Sequence, residues 1–164
     1  MPDLSRILAA REPLTLASLP RGSLPMVLAD LARAAKRRAV FIAPDDGAMR
    51  SAAEAARFFA PEIEVVTFPA WDCLPYDRAS PALSVSAERL AALHRMAHPG
   101  AAQQLLVTTV NAVLQRVLSP FRVRESLREF RVGTRIGHDS LAALLIRQGY
   151  SRTDTVIDHG EFAV

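Results

Sequence analysis

Cysteine occurs once in these 164 residues, at Cys73. No intramolecular disulfide can form, and no cysteine-rich zinc site can be assembled. A reducing compartment fits this usage, and a cytoplasmic location is expected. Aromatic residues are scarce at 6%, so a core drawn from the 50% apolar residues must be built from aliphatic side chains and alanine. Long apolar runs are missing too. Arg6, Arg11 and Glu12 interrupt the N-terminal stretch, so it does not read as a signal peptide, and nothing nears the ~20 apolar residues of a membrane span. No membrane partner is expected. The charge surplus is small, +3 from 20 basic and 17 acidic residues, which is not the footprint of a dedicated DNA-binding domain.

Catalytic signatures are equally thin. A Walker phosphate loop needs G-x-x-x-x-G-K followed by Ser or Thr, so that backbone N–H groups surround the phosphates and a lysine neutralises them. The corresponding place holds Arg21, Gly22 and Ser23, with one glycine and no lysine. The dinucleotide motif G-x-G-x-x-G, the zinc motif H-E-x-x-H and the nucleophile elbow G-x-S-x-G are all missing. His94 and His98 have the i, i+4 spacing of a half zinc site but no evident third ligand, and His98 suits a helix C-terminus. Cys73 has no neighbouring base in the sequence to activate it as a nucleophile. Asp45 and Asp46 follow an apolar run, where helix capping accounts for them as readily as ribose or metal binding.

What is present alternates. Strands are expected at Pro13–Leu19, Ala39–Pro44, Ile63–Phe68 and Gln104–Val110. Helices are expected after Ser23 as N-cap, with Leu24, Val27, Leu28 and Leu31 inward; from Asp45, Asp46 or Gly47, with Met49, Ala53, Ala56 and Phe59 inward; over Val85–Met96, with Leu90, Leu93 and Met96 inward; and over 111–118. Such alternation predicts an α/β layer with a mainly parallel sheet and helices on both faces, Ala39–Pro44 being covered on each side. Beyond Pro120 the pattern changes. Residues 123–136 read as an exposed strand or linker, 138–150 as an amphipathic helix capped by Asp139 or Ser140, and 153–164 as a strand, a turn at His159-Gly160 and a second strand. The organisation expected is thus an extension over 1–12, an α/β domain over 13–120, and the incomplete beginning of a small α+β domain over 121–164.

The rare residues cluster in "FPAWDCLPYD", residues 68 to 77. Trp71 and Tyr76, near Arg78 and Arg89, could stack bases, whereas two prolines favour a stiff corner. The segment Trp71-Asp72-Cys73-Leu74-Pro75-Tyr76-Asp77, followed by Glu88-Arg89-Leu90, resembles the N-terminal module of bacterial transcription-repair coupling factors (Mfd). That family carries an acidic residue, Trp-Glu, any residue, then Leu-Pro-Tyr and another acid at this place. Residues 110–120, with Gln115 and Arg116, are similar to its V-N-x-L-x-Q-R-V segment. Residues 145–164 are similar to its stretch from G-Y-x-R to G-E-F. The resemblance runs from about residue 13 to the end, and it is specific through the combination of segments.

The resemblance implies a RecA-like α/β half with a degenerate phosphate loop at Arg21, Gly22 and Ser23, and then the start of a UvrA-binding domain. Trp71, Leu74, Pro75, Tyr76, Arg89, Gln115 and Arg116 would be its structural signature. His159, Glu161 and Phe162 would lead into the surface that meets UvrA. The segment would be a non-enzymatic adaptor in transcription-coupled nucleotide excision repair, recruiting UvrA to stalled RNA polymerase, and a monomer by itself. No cofactor is expected in it. ATP, magnesium and duplex DNA would engage the downstream motor of the parent, a helicase-like translocase. Two other readings stay open: a UvrB-like damage- or nucleic-acid-binding module, and a small phosphate- or nucleotide-binding enzyme using Asp45, Asp46 and Asn111.

Overall fold

The computed structural model describes residues 3–35, 38–74, 76, 78–126, 130–158 and 160–164, without the side chains of residues 21, 125 and 126. It divides into two compact units, Met1–Pro120 and Phe121–Val164.

The first unit is an α/β layer. It opens with helix α1, Leu4–Ala9, whose N-terminal amides are held by Asp3, its Oδ1 accepting from Ser5 N at 3.0 Å and Arg6 N at 3.2 Å. Helix α2, Leu24–Ala35, follows a short 3-10 turn at Arg21–Ser23. Strand β1, Ala39–Ala43, leads to helix α3, Asp46–Phe59, and strand β2, Glu64–Phe68. Helix α4, Leu83–Ala97, strand β3, Gln104–Thr109, and the short helix α5, Val110–Leu114, complete it. The sheet is parallel in the order β1-β3-β2, so β3 is central and pairs Phe41 with Val107 on one side and Val66 with Leu106 on the other.

Alanine sets how closely the layers approach. On one sheet face Ala29 and Ala32 of α2 and Ala52, Ala53 and Ala56 of α3 are buried with Met49, Val65, Leu105 and Val107. Small side chains let the two helices approach the sheet closely in a chain poor in aromatics. On the opposite face α4 brings Ala92, Leu93 and Met96 against Val66, Phe68 and Leu106. This helix covers the β2 side, and β1 keeps Val40 and Ile42 of the same face 54% and 49% exposed.

Four expectations change here. Pro13–Leu19 is not a strand. Ser18 sits at φ 59°, in the left-handed region, and Leu14 and Leu16 lie exposed between Pro13 and Pro20, which cannot donate to a ladder. Strand β1 is not covered on both faces, because it is an edge strand with a helix layer on one side only. Leu90 and Phe59 are exposed rather than inward, and the buried positions nearest them are Arg89 and Ala60. The phase of α4 follows Val85, Arg89, Ala92, Leu93 and Met96, a helical stripe with an arginine in it. The helix over 111–118 is shorter and earlier, Val110–Leu114, capped by Thr109, whose Oγ1 accepts from Ala112 N at 3.2 Å.

The second unit holds helix α6, Pro120–Ser126, which begins at the last residue of the first unit and lies where an exposed strand was expected. Proline at the first helical position is pre-set for this, and the charges at Arg122 and Arg124 face solvent without disturbing it. Helix α7, His138–Arg147, starts at Gly137 rather than at an Asp139 or Ser140 cap. It exits through Gly149 at φ +87°, a conformation glycine adopts without strain. Strand β4, Ser151–Arg152, pairs in parallel with β5, Glu161–Phe162.

Leu105→Ala, at a fully buried position, is expected to cost about 2–5 kcal/mol in urea unfolding followed by circular dichroism. Ile42→Thr, half exposed on the bare side of the sheet, is expected to stay within about 0.5 kcal/mol of the parent.

Candidate functional site

Where β2 ends, the chain leaves the sheet through Pro69, and its backbone groups need new partners. Thr108 Oγ1 donates to Phe68 O at 2.8 Å. The Arg89 guanidinium donates through Nη1 to Pro69 O and, at 3.0 Å, to Gln115 Oε1. The same Gln115 oxygen accepts from Trp71 N at 3.0 Å. Farther on, the Asp72 carboxylate accepts from Ala82 N at 3.2 Å, so both ends of the corner are tied.

Arg89 is 2% exposed and has no carboxylate partner among the described residues. Its charge rests instead between two rings, 4.3 Å from the Phe68 centroid and 4.2 Å from that of Trp71. A desolvated cation over an aromatic face gains ~2 kcal/mol, and a hydrogen bond to a charged group ~1.5–3 kcal/mol. Burial pushes the guanidinium's pKa down from its ordinary value. Arginine nevertheless remains charged in proteins. Its Nε is buried without a hydrogen-bond partner. Thus Trp71, Arg89 and Gln115 come together as one node. Arg116 lies beside it, while Leu74 is 70% and Tyr76 99% exposed. Pro75 lies outside the described residues. One face of Trp71 is taken by Arg89.

The strand ends hold caps. Asp45 Oδ1 accepts from Ala48 N at 2.8 Å as the N-cap of α3, with Asp46 in its first turn. Asn111 is taken into α5. Ser23 lies in the 3-10 turn with Gly22, and its hydroxyl donates to Pro20 O at 2.8 Å instead of capping α2. His94 and His98 sit with ring centroids 4.5 Å apart. Among the described residues no three His, Cys, Asp or Glu side chains are grouped to hold a metal ion, and no helix is long and apolar enough to cross a membrane.

In the second unit Glu161 closes a turn. Its Oε2 accepts from Ile157 N at 2.9 Å and Asp158 N at 3.0 Å, and these two bonds, Ile157 first, hold its pKa below the ordinary glutamate value. Phe162 is buried at 8% exposure, and Gly160 takes φ +91°. His159 lies outside the described residues. The large apolar groups presented by this turn are Val156 and Ile157, 53% and 83% exposed. Sequence reasoning passed over both because they read as strand interior. The signal was the acid four residues beyond Ile157, which turns the chain back on itself.

No protein-family model matches the chain. Over 105 residues it is 37% identical to the transcription-repair-coupling factor of Mycobacterium bovis, covering 61% of this chain and 8% of that protein. Against the transcription-repair-coupling factor of Escherichia coli it is 30% identical over 155 residues, 94% of this chain and 13% of that one. Against that of Myxococcus xanthus it is 35% identical over 146 residues, 84% and 12% respectively. The chain therefore spans between 8% and 13% of the length of these three relatives.

Arg89→Lys should destabilise the first unit by about 3 kcal/mol, since an ammonium cannot cover both rings while reaching Pro69 and Gln115. Denaturant unfolding read by Trp71 emission measures this, and a loss below about 1 kcal/mol would refute the node's importance. For Glu161 the sign follows from its lowered pKa. The stabilisation is complete above the ordinary glutamate range and disappears as pH falls through the lower folded value. The Ile157 and Asp158 amide resonances should therefore titrate together with a midpoint below that of a free glutamate, and Glu161→Gln should abolish the titration.

Proposed function

Over most of its length the chain belongs to the transcription-repair-coupling factor family, and on that footing we propose that it is a non-catalytic adaptor portion of such a factor. In this reading it recruits UvrA to a stalled RNA polymerase, while the ATP-driven motor that moves on duplex DNA lies in another part of the parent. The first unit is then a RecA-like half that has lost its phosphate loop, and the second begins the UvrA-binding domain. The observation that carries the reading is the 30% identity to a transcription-repair-coupling factor over 94% of the chain. What the strand-end side chains do agrees with it. Asp45 and Thr109 are spent on helix caps, and Ser23 on its own turn, so the places where an α/β enzyme keeps its reactive groups serve the scaffold.

The mechanism is surface burial. Glu161 and Phe162 act from behind as the clasp and anchor of the turn, and Val156 and Ile157 at its tip provide apolar area for the partner. An exposed isoleucine buried on docking contributes ~1.5–3 kcal/mol.

Ile157→Asp should lower capture of purified UvrA about tenfold or more while leaving the thermal midpoint of the chain unchanged. Asp45→Ala should leave capture intact. Micromolar ATP affinity for this chain by calorimetry, or capture indifferent to Ile157→Asp, would overturn the proposal.

A further inference from the structure

The Trp71–Arg89 node forms the floor of an open cleft in the first unit. A lobe of about 410 Å³ lies among Trp71, Arg89, Leu90, Arg116, Val117 and Leu118. A second lobe of about 490 Å³ adjoins it, shares Trp71 and Arg116, and reaches Leu114. These volumes fall in the range of sites that bind ligands. Leu114, Val117 and Leu118 are 80%, 53% and 47% exposed, so three consecutive apolar anchors of the 114–118 segment stand in water.

The charge on the described lining residues is of one sign. Arg116 is exposed and makes no ion pair among the described residues, and the described lining contains no acidic side chain. Two described acids of the neighbouring chain are engaged elsewhere. Glu88 accepts from Thr67 at 2.8 Å, and Asp72 holds Ala82 N. Arg89 adds a second cation, 2% exposed, with its Nε buried and unpartnered. A carboxylate brought to this wall would be drawn by the charge of both guanidinium groups.

We propose that this two-lobed cleft docks an amphipathic helical peptide of a partner protein, whose leucine-type side chains fill the two lobes and whose single carboxylate between them pairs with Arg116 over the Arg89 node. Two apolar lobes flanking a cation match a helix face with anchors one turn apart and an acid between. Nucleic acid fits less well, because the lining surface is mainly apolar and one face of Trp71 already carries Arg89. The cleft lies wholly in the first unit, and the inference stands apart from the role proposed for the Ile157 turn.

Trp71 is the only tryptophan, so its emission reads the cleft directly. The complete chain would be titrated with an array of acetylated, amidated helical peptides carrying one Glu between two leucines at varied spacing, alongside counterparts with Gln for Glu. A saturable shift in Trp71 emission is expected for at least one Glu peptide, with affinity at least tenfold weaker for its Gln counterpart and for Arg116→Ala. Leu118→Asp should abolish the shift while circular dichroism stays unchanged. Loss of structure in Leu118→Asp would transfer that arm to Val117→Asp, read the same way. No saturable shift across the array, equal binding of Glu and Gln peptides, or a response to oligothymidylate alone would each overturn the proposal.

Discussion

A single arginine decides the shape of the first unit beyond its sheet. Arg89 lies where a helix stripe would ordinarily place leucine, and it cannot be buried without satisfying a full charge. The chain meets that demand by bending. The stretch after β2 folds back so that Pro69 offers its carbonyl and Trp71 its ring, and Gln115 leaves the end of α5 to bridge Arg89 and the Trp71 amide. Three segments far apart in sequence are thereby fixed by one guanidinium. Its planar geometry is what allows two rings and two oxygens to be served at once.

The sheet beneath is the complement of that node. Alanine on α2 and α3 draws one helix layer close, and the opposite layer is a single helix whose burial depends on Arg89 and Ala92. Arg33 at the end of α2 ties that layer from outside, bonding Glu62, Asp30 and the Phe59 carbonyl. Being exposed, these ion pairs set position more than stability.

Much of this was legible in the residues. The periods of 46–59, 64–68 and 104–109 gave α3, β2 and β3 within a residue or two, and Asp45 was recognisable as a cap. Elsewhere pattern failed for identifiable reasons. Leu14 and Leu16 alternate like a strand, but Ser18 in the left-handed region turns the segment away from the sheet. Leu90 looked inward because arginine is rarely placed in a core, and only the nearby Phe68 and Trp71 make it possible. The signature at 68–77 was visible as a concentration of rare residues. That its tryptophan is held by an arginine and a glutamine from two other segments depends on tertiary contacts, which local periodicity does not encode. The clasp by Glu161 was hidden for the same reason, since side-chain-to-backbone bonds leave no hydrophobic pattern.

Strand β1 carries a consequence of a different kind. Ala39–Ala43 is a short, uncharged, apolar ribbon with one flank paired to β3 and its Val40 and Ile42 side chains in water. A flank of this sort is a template for another chain's backbone. The residues on either side oppose that use. Arg38 stands before it, held by Gln104 and the Met96 carbonyl, and Pro44 and Asp45 stand after it. Charge and proline bracketing a β-prone ribbon are gatekeepers against ordered aggregation. These flanking residues thus limit strand addition at the open flank of β1.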